Sequence, residues 1–144
     1  MEDQIAKLKE KFSSKILNFT EKSKRRIYLE VNPEDIPEVV KFIFRDLGWR
    51  FATATGIDTP QGIEILYHFS YDTEGKMISL RTMIKDKKKP EIQSIANIIT
   101  GAEWIEREMW EMLGINFIGH PNLKRLLLVE EWPEGKHPLR HDHD

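Results

Sequence analysis

The sequence predicts an α+β domain: a βαβββα-type sheet with helices packed on one face, an amphipathic N-terminal helix, and an irregular C-terminal arm. Three observations predict it. Some short runs alternate apolar with polar residues, the period of a strand with one buried face. Other runs repeat apolar residues every three or four positions, the period of a half-buried helix. Two clusters of turn formers, Thr59-Pro60-Gln61-Gly62 and Asp72-Thr73-Glu74-Gly75, separate three consecutive strand-like runs.

The elements follow in order. Ile5, Leu8, Phe12, Ile16 and Phe19 make one apolar stripe on an otherwise charged segment, which predicts a helix over 3–19. After Lys24-Arg25-Arg26, Ile27, Leu29 and Val31 alternate with Tyr28 and Glu30 and predict a short strand. Asn32 is a good N-cap, Pro33 suits the first helical position, and Glu34 and Asp35 favour the positive end of the helix dipole. Ile36, Val39, Val40, Ile43, Phe44 and Leu47 then share a face, and Gly48 can end that helix in the left-handed conformation. Strands are predicted over 50–58, 62–71 and 76–85. Ile92, Ile95, Ala96 and Ile99 resume a helical period and predict a second covering helix. Ala102, Ile105, Met109 and Met112 predict a third, ending at Gly114. Gly119, Pro121, Pro133, Gly135 and Pro138 then interrupt every period. The predicted organisation is an α+β domain over 1–114 and an extended arm over 115–144 that docks on a partner, because its Phe117, Leu126, Leu127, Leu128 and Trp132 are too apolar for a solvated linker.

Composition narrows the function. A chain of 144 residues, 40% hydrophobic and 32% charged, suits one domain. The absence of cysteine removes disulfides, thiol nucleophiles and cysteine-held zinc or iron–sulfur centres. Twenty-two Lys/Arg against 24 Asp/Glu leave a net charge of -2, without the basic excess that nucleic-acid binding draws on. From Gly101 onward five Lys/Arg face nine Asp/Glu, so the C-terminal third is the more acidic surface. No run reaches the roughly 18 apolar residues of a membrane-spanning helix, and the charged start lacks a signal-peptide core, so a cytosolic chain is expected.

Few residues invite chemistry. His120, His137, His141 and His143 lie close together in sequence, and a free-standing metal-dependent enzyme using the C-terminal histidines is one alternative. A chain terminus is nonetheless a poor frame for ligands. Glu103, Glu106, Glu108 and Glu111 around Arg107 could supply an acid–base pair, but their i,i+4 spacing reads more simply as a salt-bridged exposed face. Lys85 to Lys89 reads as a solvated loop. No phosphate-binding loop, serine elbow or metalloprotease helix is present.

The run Trp104-Ile105-Glu106-Arg107-Glu108-Met109-Trp110-Glu111-Met112-Leu113-Gly114-Ile115-Asn116-Phe117-Ile118-Gly119-His120-Pro121-Asn122-Leu123-Lys124-Arg125-Leu126-Leu127 closely resembles the signature of the complex I 30-kDa subunit family, the 30-kDa subunit of respiratory-chain NADH dehydrogenase. Glu131-Trp132-Pro133-Glu134-Gly135-Lys136-His137-Pro138-Leu139-Arg140 resembles its closing segment. Glu111 stands where aspartate is usual, Leu113 where phenylalanine is usual, and His141-Asp142 where Lys-Asp is usual. The W-P-E-G wording looks more like the branch found in membrane-bound, energy-converting [NiFe] hydrogenases and related ion-translocating complexes than the quinone-reducing branch.

The resemblance implies a cofactor-free hydrophilic subunit, without catalysis of its own, peripheral on the cytoplasmic side of the cell membrane. It would stabilise the large catalytic subunit, [NiFe]-hydrogenase-like or quinone-site, in the peripheral arm of a respiratory electron-transport complex. Neighbouring iron–sulfur subunits would be further partners, the membrane would be met only through the complex, and nucleic acid would not be a partner. The alternative within the family is the equivalent subunit of a NADH- or quinone-linked complex I. On this resemblance Phe117, Leu126, Leu127 and Trp132 are expected as interface anchors, while Glu106, Arg107, His120, Arg125 and Arg140 fix registry through charge contacts. No catalytic, cofactor-binding or metal residue is expected.

Overall fold

Ile63, Ile65, Tyr67 and Phe69 on one strand, Ile78 and Leu80 on the next, and Ile27, Leu29 and Val31 on a third all turn toward the same buried core. The computed structural model that shows this describes residues 2–122 and 139–140. Helix α1 (Glu2–Lys11) is followed by strands β1 (Ile16–Ser23) and β2 (Arg26–Val31), and a 3-10 turn over Pro33–Asp35 leads into α2 (Ile36–Lys41). Strands β3 (Arg50–Thr59), β4 (Gly62–Tyr71) and β5 (Lys76–Ile84), a short β6 (Glu91–Gln93), helix α3 (Ala102–Leu113) and β7 (Asn116–Ile118) complete the order.

The main sheet runs β1-β2-β5-β4-β3, with β2 parallel to β5 and the other pairs antiparallel; β6 and β7 form a separate parallel pair. The α+β class therefore holds, with a five-stranded sheet. Leu8 of α1 and Phe12 just after it, Val39, Val40 and Ile43 in and beyond α2, and Met109 and Leu113 of α3 fill the core against the sheet. The alternate residues, among them Tyr28, Glu30, Glu64, Leu66 and Arg81, line the opposite, partly open face. Gly56 lets α3 lie directly on β3: a Cβ there would stand 2.6 Å from Leu113 Cδ1.

Two predicted helices differ. The N-terminal helix stops at Lys11, because the chain turns at Phe12 to Lys15 and residues 16–23 pair along the free edge of β2, with Lys24 and Arg25 as the hairpin turn. A strand edge in need of a partner overrides the helical stripe of Ile16 and Phe19. The segment after Pro90 buries Ile92, Ile95 and Ile99 as predicted, yet not as a helix. Ile92 pairs with Phe117 in β6–β7, and side-chain oxygens take the Ile95 and Ala96 amides that a helix would have used. The predicted helix after Asn32 begins as a 3-10 turn on Pro33, without a side-chain cap from Asn32, and loosens into a π-turn over Phe42–Asp46 before Gly48 (φ 74°).

Candidate functional site

Helix α3 carries the signature residues. Ala102 to Leu113 is an uninterrupted run of good helix formers, and Gly114, at φ 78°, closes it by donating from its amide to the Trp110 carbonyl. Three of the five charged residues of this helix do not belong to an exposed salt-bridged face. Glu106, Arg107 and Glu111 are all buried, whereas Trp104 is 59% exposed.

Glu106 turns inward. Its Oε1 accepts from Ser94 Oγ at 2.5 Å and its Oε2 from the Ile95 amide at 2.9 Å. His120 Nε2 lies 3.9 Å from the carboxylate and donates to the Glu103 carbonyl at 2.9 Å, while the Asn122 amide donates to Nδ1. These partners hold the imidazole in the Nε2–H tautomer. Burial pushes the Glu106 carboxyl up from its ordinary range, against the hydrogen bonds from Ser94 and Ile95 and the attraction of His120. Glu106 and His120, expected as partner contacts, thus find their hydrogen bonds inside this chain and tie α3 to 94–96 and 119–122.

The same burial acts on Tyr67, whose hydroxyl has no hydrogen-bond partner among the described residues. Burial first, and then the Glu106 charge, push it far above the ordinary phenol range. Because the protonated phenol is the favoured form in the fold, the native state holds its full stability below the unfolded value of 10.0 and loses it as pH rises beyond. Tyr67→Phe should raise stability by about 1 kcal/mol at neutral pH and flatten that alkaline loss, as denaturant unfolding at two pH values will read. A weaker protein at neutral pH would mean that the hydroxyl is bonded.

A second buried cluster lies at the far end of α3. Asp58, inward-facing on β3, sits 2.7 Å from Lys87 Nζ and 3.8 Å from Arg140 Nε. Arg140 also donates to the Leu113 carbonyl at 3.0 Å and the Lys87 carbonyl at 2.7 Å, and the Leu139 amide donates to Met112. Arg140, expected to hold a partner's carboxylate, therefore ties residues 139–140 to the C-terminus of α3 and the loop after β5. Neither Asp58 nor Lys87 was expected to take part. The usable signal was parity, since Asp58 shares the inward register of Ala54 and Gly56.

Phe117, expected as an interface anchor, is 1% exposed in this chain's own core, with Ile115 beside it. The predicted boundary at 114 therefore cuts through the domain, because 115–118 supply a core strand. Arg125, Leu126, Leu127 and Trp132 lie outside the described residues, as do His137, His141 and His143. Among the described residues no group of three acidic or imidazole side chains is placed to hold a metal ion, and no helix is long and apolar enough to cross a membrane. The large apolar side chains left open around α3 are Trp104, Leu139 at 55% and Ile118 at 41%. A groove of 260 Å³ between α3 and the edge strand β3 is lined by Thr55, Gly56, Ile105, Glu108, Met112 and Leu139.

Comparison with known proteins agrees with this geometry. The C subunit of the NADH-quinone oxidoreductase of Citrifermentans bemidjiense is 32% identical over 143 residues, covering 96% of this chain and 86% of that protein. The C/D subunit of the Bacteroides thetaiotaomicron enzyme is 35% identical over 100 residues, but this chain spans only 18% of its length. A chain in the structure of the membrane-bound sulfane sulfur reductase, an archaeal respiratory membrane complex, superposes with a TM-score of 0.86 at 22% identity, covering 99% of this chain and 85% of that one. The trypsin-resistant fragment of Nqo5 superposes with a TM-score of 0.68 at 19% identity, covering 83% of this chain and 99% of that one. Residues 29–144 match the family described as respiratory-chain NADH dehydrogenase, 30 Kd subunit, and this chain belongs to that family.

Proposed function

We propose that this chain is the hydrophilic, cofactor-free subunit that packs against and stabilises the large catalytic subunit of a membrane-bound, ion-translocating respiratory complex, in its peripheral arm on the cytoplasmic side of the membrane. The observation that carries the proposal is the match to relatives named as C/D subunits, in which this chain corresponds to under a fifth of a longer polypeptide. A protein named for two subunits in one chain supports a D-type large partner for the separate chain. The chemistry of the surface agrees: the buried polar groups around Glu106 and Asp58 are engaged in holding the fold, and the open apolar residues around α3 offer contact area. Arg125, Leu126, Leu127 and Trp132 belong to the same proposed contact, and neighbouring iron–sulfur subunits would complete the arm.

The complex we favour is of the energy-converting hydrogenase type, on the W-P-E-G closing segment. A quinone-linked complex is the second reading, supported by the names of the relatives. Purification of the tagged chain from detergent-solubilised native membranes tests both. We expect one large subunit to copurify in roughly equal amount. Paired cysteines and stoichiometric nickel in it would support the hydrogenase type, their absence the quinone type, and recovery of the chain alone would refute the whole assignment.

A further inference from the structure

Arg107 is only 5% exposed, yet its Nε has no hydrogen-bond partner and no carboxylate among the described residues forms an ion pair with it. Its guanidinium carbon lies 4.9 Å from the centre of the Trp104 ring, which is itself 59% exposed. A buried cation with no counter-charge is costly, and a stacked aromatic offsets only part of that cost. Glu106 does not offset it, because its carboxylate is turned to Ser94 and Ile95.

Resting on the proposed assembly, we propose that Arg107 and Trp104 form a socket for one carboxylate side chain of the large partner subunit. A carboxylate matches the guanidinium fork with two parallel hydrogen bonds. The surrounding charge selects it over a phosphate or a lipid headgroup, for Glu103 and Glu108 flank this single arginine of the helix and repel a multiply charged anion. An exposed indole changes rotamer in picoseconds to nanoseconds, so the ring stacked on the guanidinium can yield to an incoming carboxylate. Once the partner docks, the Trp104 ring shields the pair from water and strengthens it, as in interface hot spots.

The test uses the complex and the free chain together. Arg107→Met removes a buried charge and keeps the volume, so the free chain should melt about 2–6 °C higher, while recovery of the large subunit on the tagged chain should fall at least about tenfold. A free chain that melts lower would show that Arg107 is satisfied within this fold and would overturn the proposal. Arg107→Lys in the assembled complex, treated with a water-soluble carbodiimide, should form an amide to one Asp or Glu of the large subunit, identified by mass spectrometry. Amide formation only to Glu103 or Glu111, or none in a complex that assembles normally, would also overturn it. Failure of the proposed assembly is distinguishable, since then the wild-type chain would recover no large subunit at all.

Discussion

Asp58→Ala is expected to destabilise the chain by about 3–4 kcal/mol, read as a shift of the denaturant midpoint at constant slope. The side chain has no exposure, and its removal leaves two cations facing each other across the space it filled. Lys87 can turn to water, because its own side chain is about a quarter exposed, which keeps the estimate below the upper limit for a broken buried pair. Arg140 cannot, since its guanidinium also serves the Leu113 and Lys87 carbonyls. Arg140→Ala should therefore cost the free chain about 2–3 kcal/mol, by taking one of the cations from Asp58 and leaving the Leu113 and Lys87 carbonyls without their donor. If either variant stays within 1 kcal/mol of wild type, the cluster is not what fastens residues 139–140 to the domain. The outcome separates two roles for Arg140, because a purely interfacial arginine would leave the melting of the free chain unchanged.

What was legible in the sequence depended on whether a residue's neighbours in space were also its neighbours in sequence. Strand β4 and helix α3 were placed at their observed bounds, since alternation at Ile63 to Phe69 and the stripe through Ala102 to Met112 are local signals closed by a glycine or a turn. Strand β1 was not, because Ile16 and Phe19 satisfy a helical period equally well and only the presence of β2 beside them decides the matter. The same holds for 91–99. Ile92, Ile95 and Ile99 are buried, but the partner of Ile92 is Phe117, 25 residues away. The signature pointed to the right helix while hiding the roles of its charges. Spacing alone cannot tell a Glu106 turned to Ser94 from one turned to solvent, nor show that Arg107 would be buried without a carboxylate.

Glu106→Ala should cost about 3 kcal/mol, because it strands the Ser94 hydroxyl and the Ile95 amide where water cannot replace the lost acceptor. Glu106→Gln keeps an acceptor for Ile95 and nearly the same volume, so it should cost far less. Comparison of Gln with wild type also isolates the titration of this one carboxyl. Burial is the largest influence on it and raises its folded pKa above the unfolded value of 4.5, so the folded state holds the proton more tightly. The stability it contributes is then fully present below pH 4.5 and lost as pH rises through the folded pKa. Relative to Glu106→Gln, wild type should gain in melting temperature as the buffer is taken from roughly pH 7 to pH 4, the general acid sensitivity of the other carboxylates cancelling in the difference. A difference that is flat, or that grows in the opposite direction, would mean that Ser94, Ile95 and His120 together outweigh burial and hold the carboxylate charged. Glu106 would then be an ionised keystone between α3 and the 94–96 turn, and Glu106→Gln would cost nearly as much as Glu106→Ala.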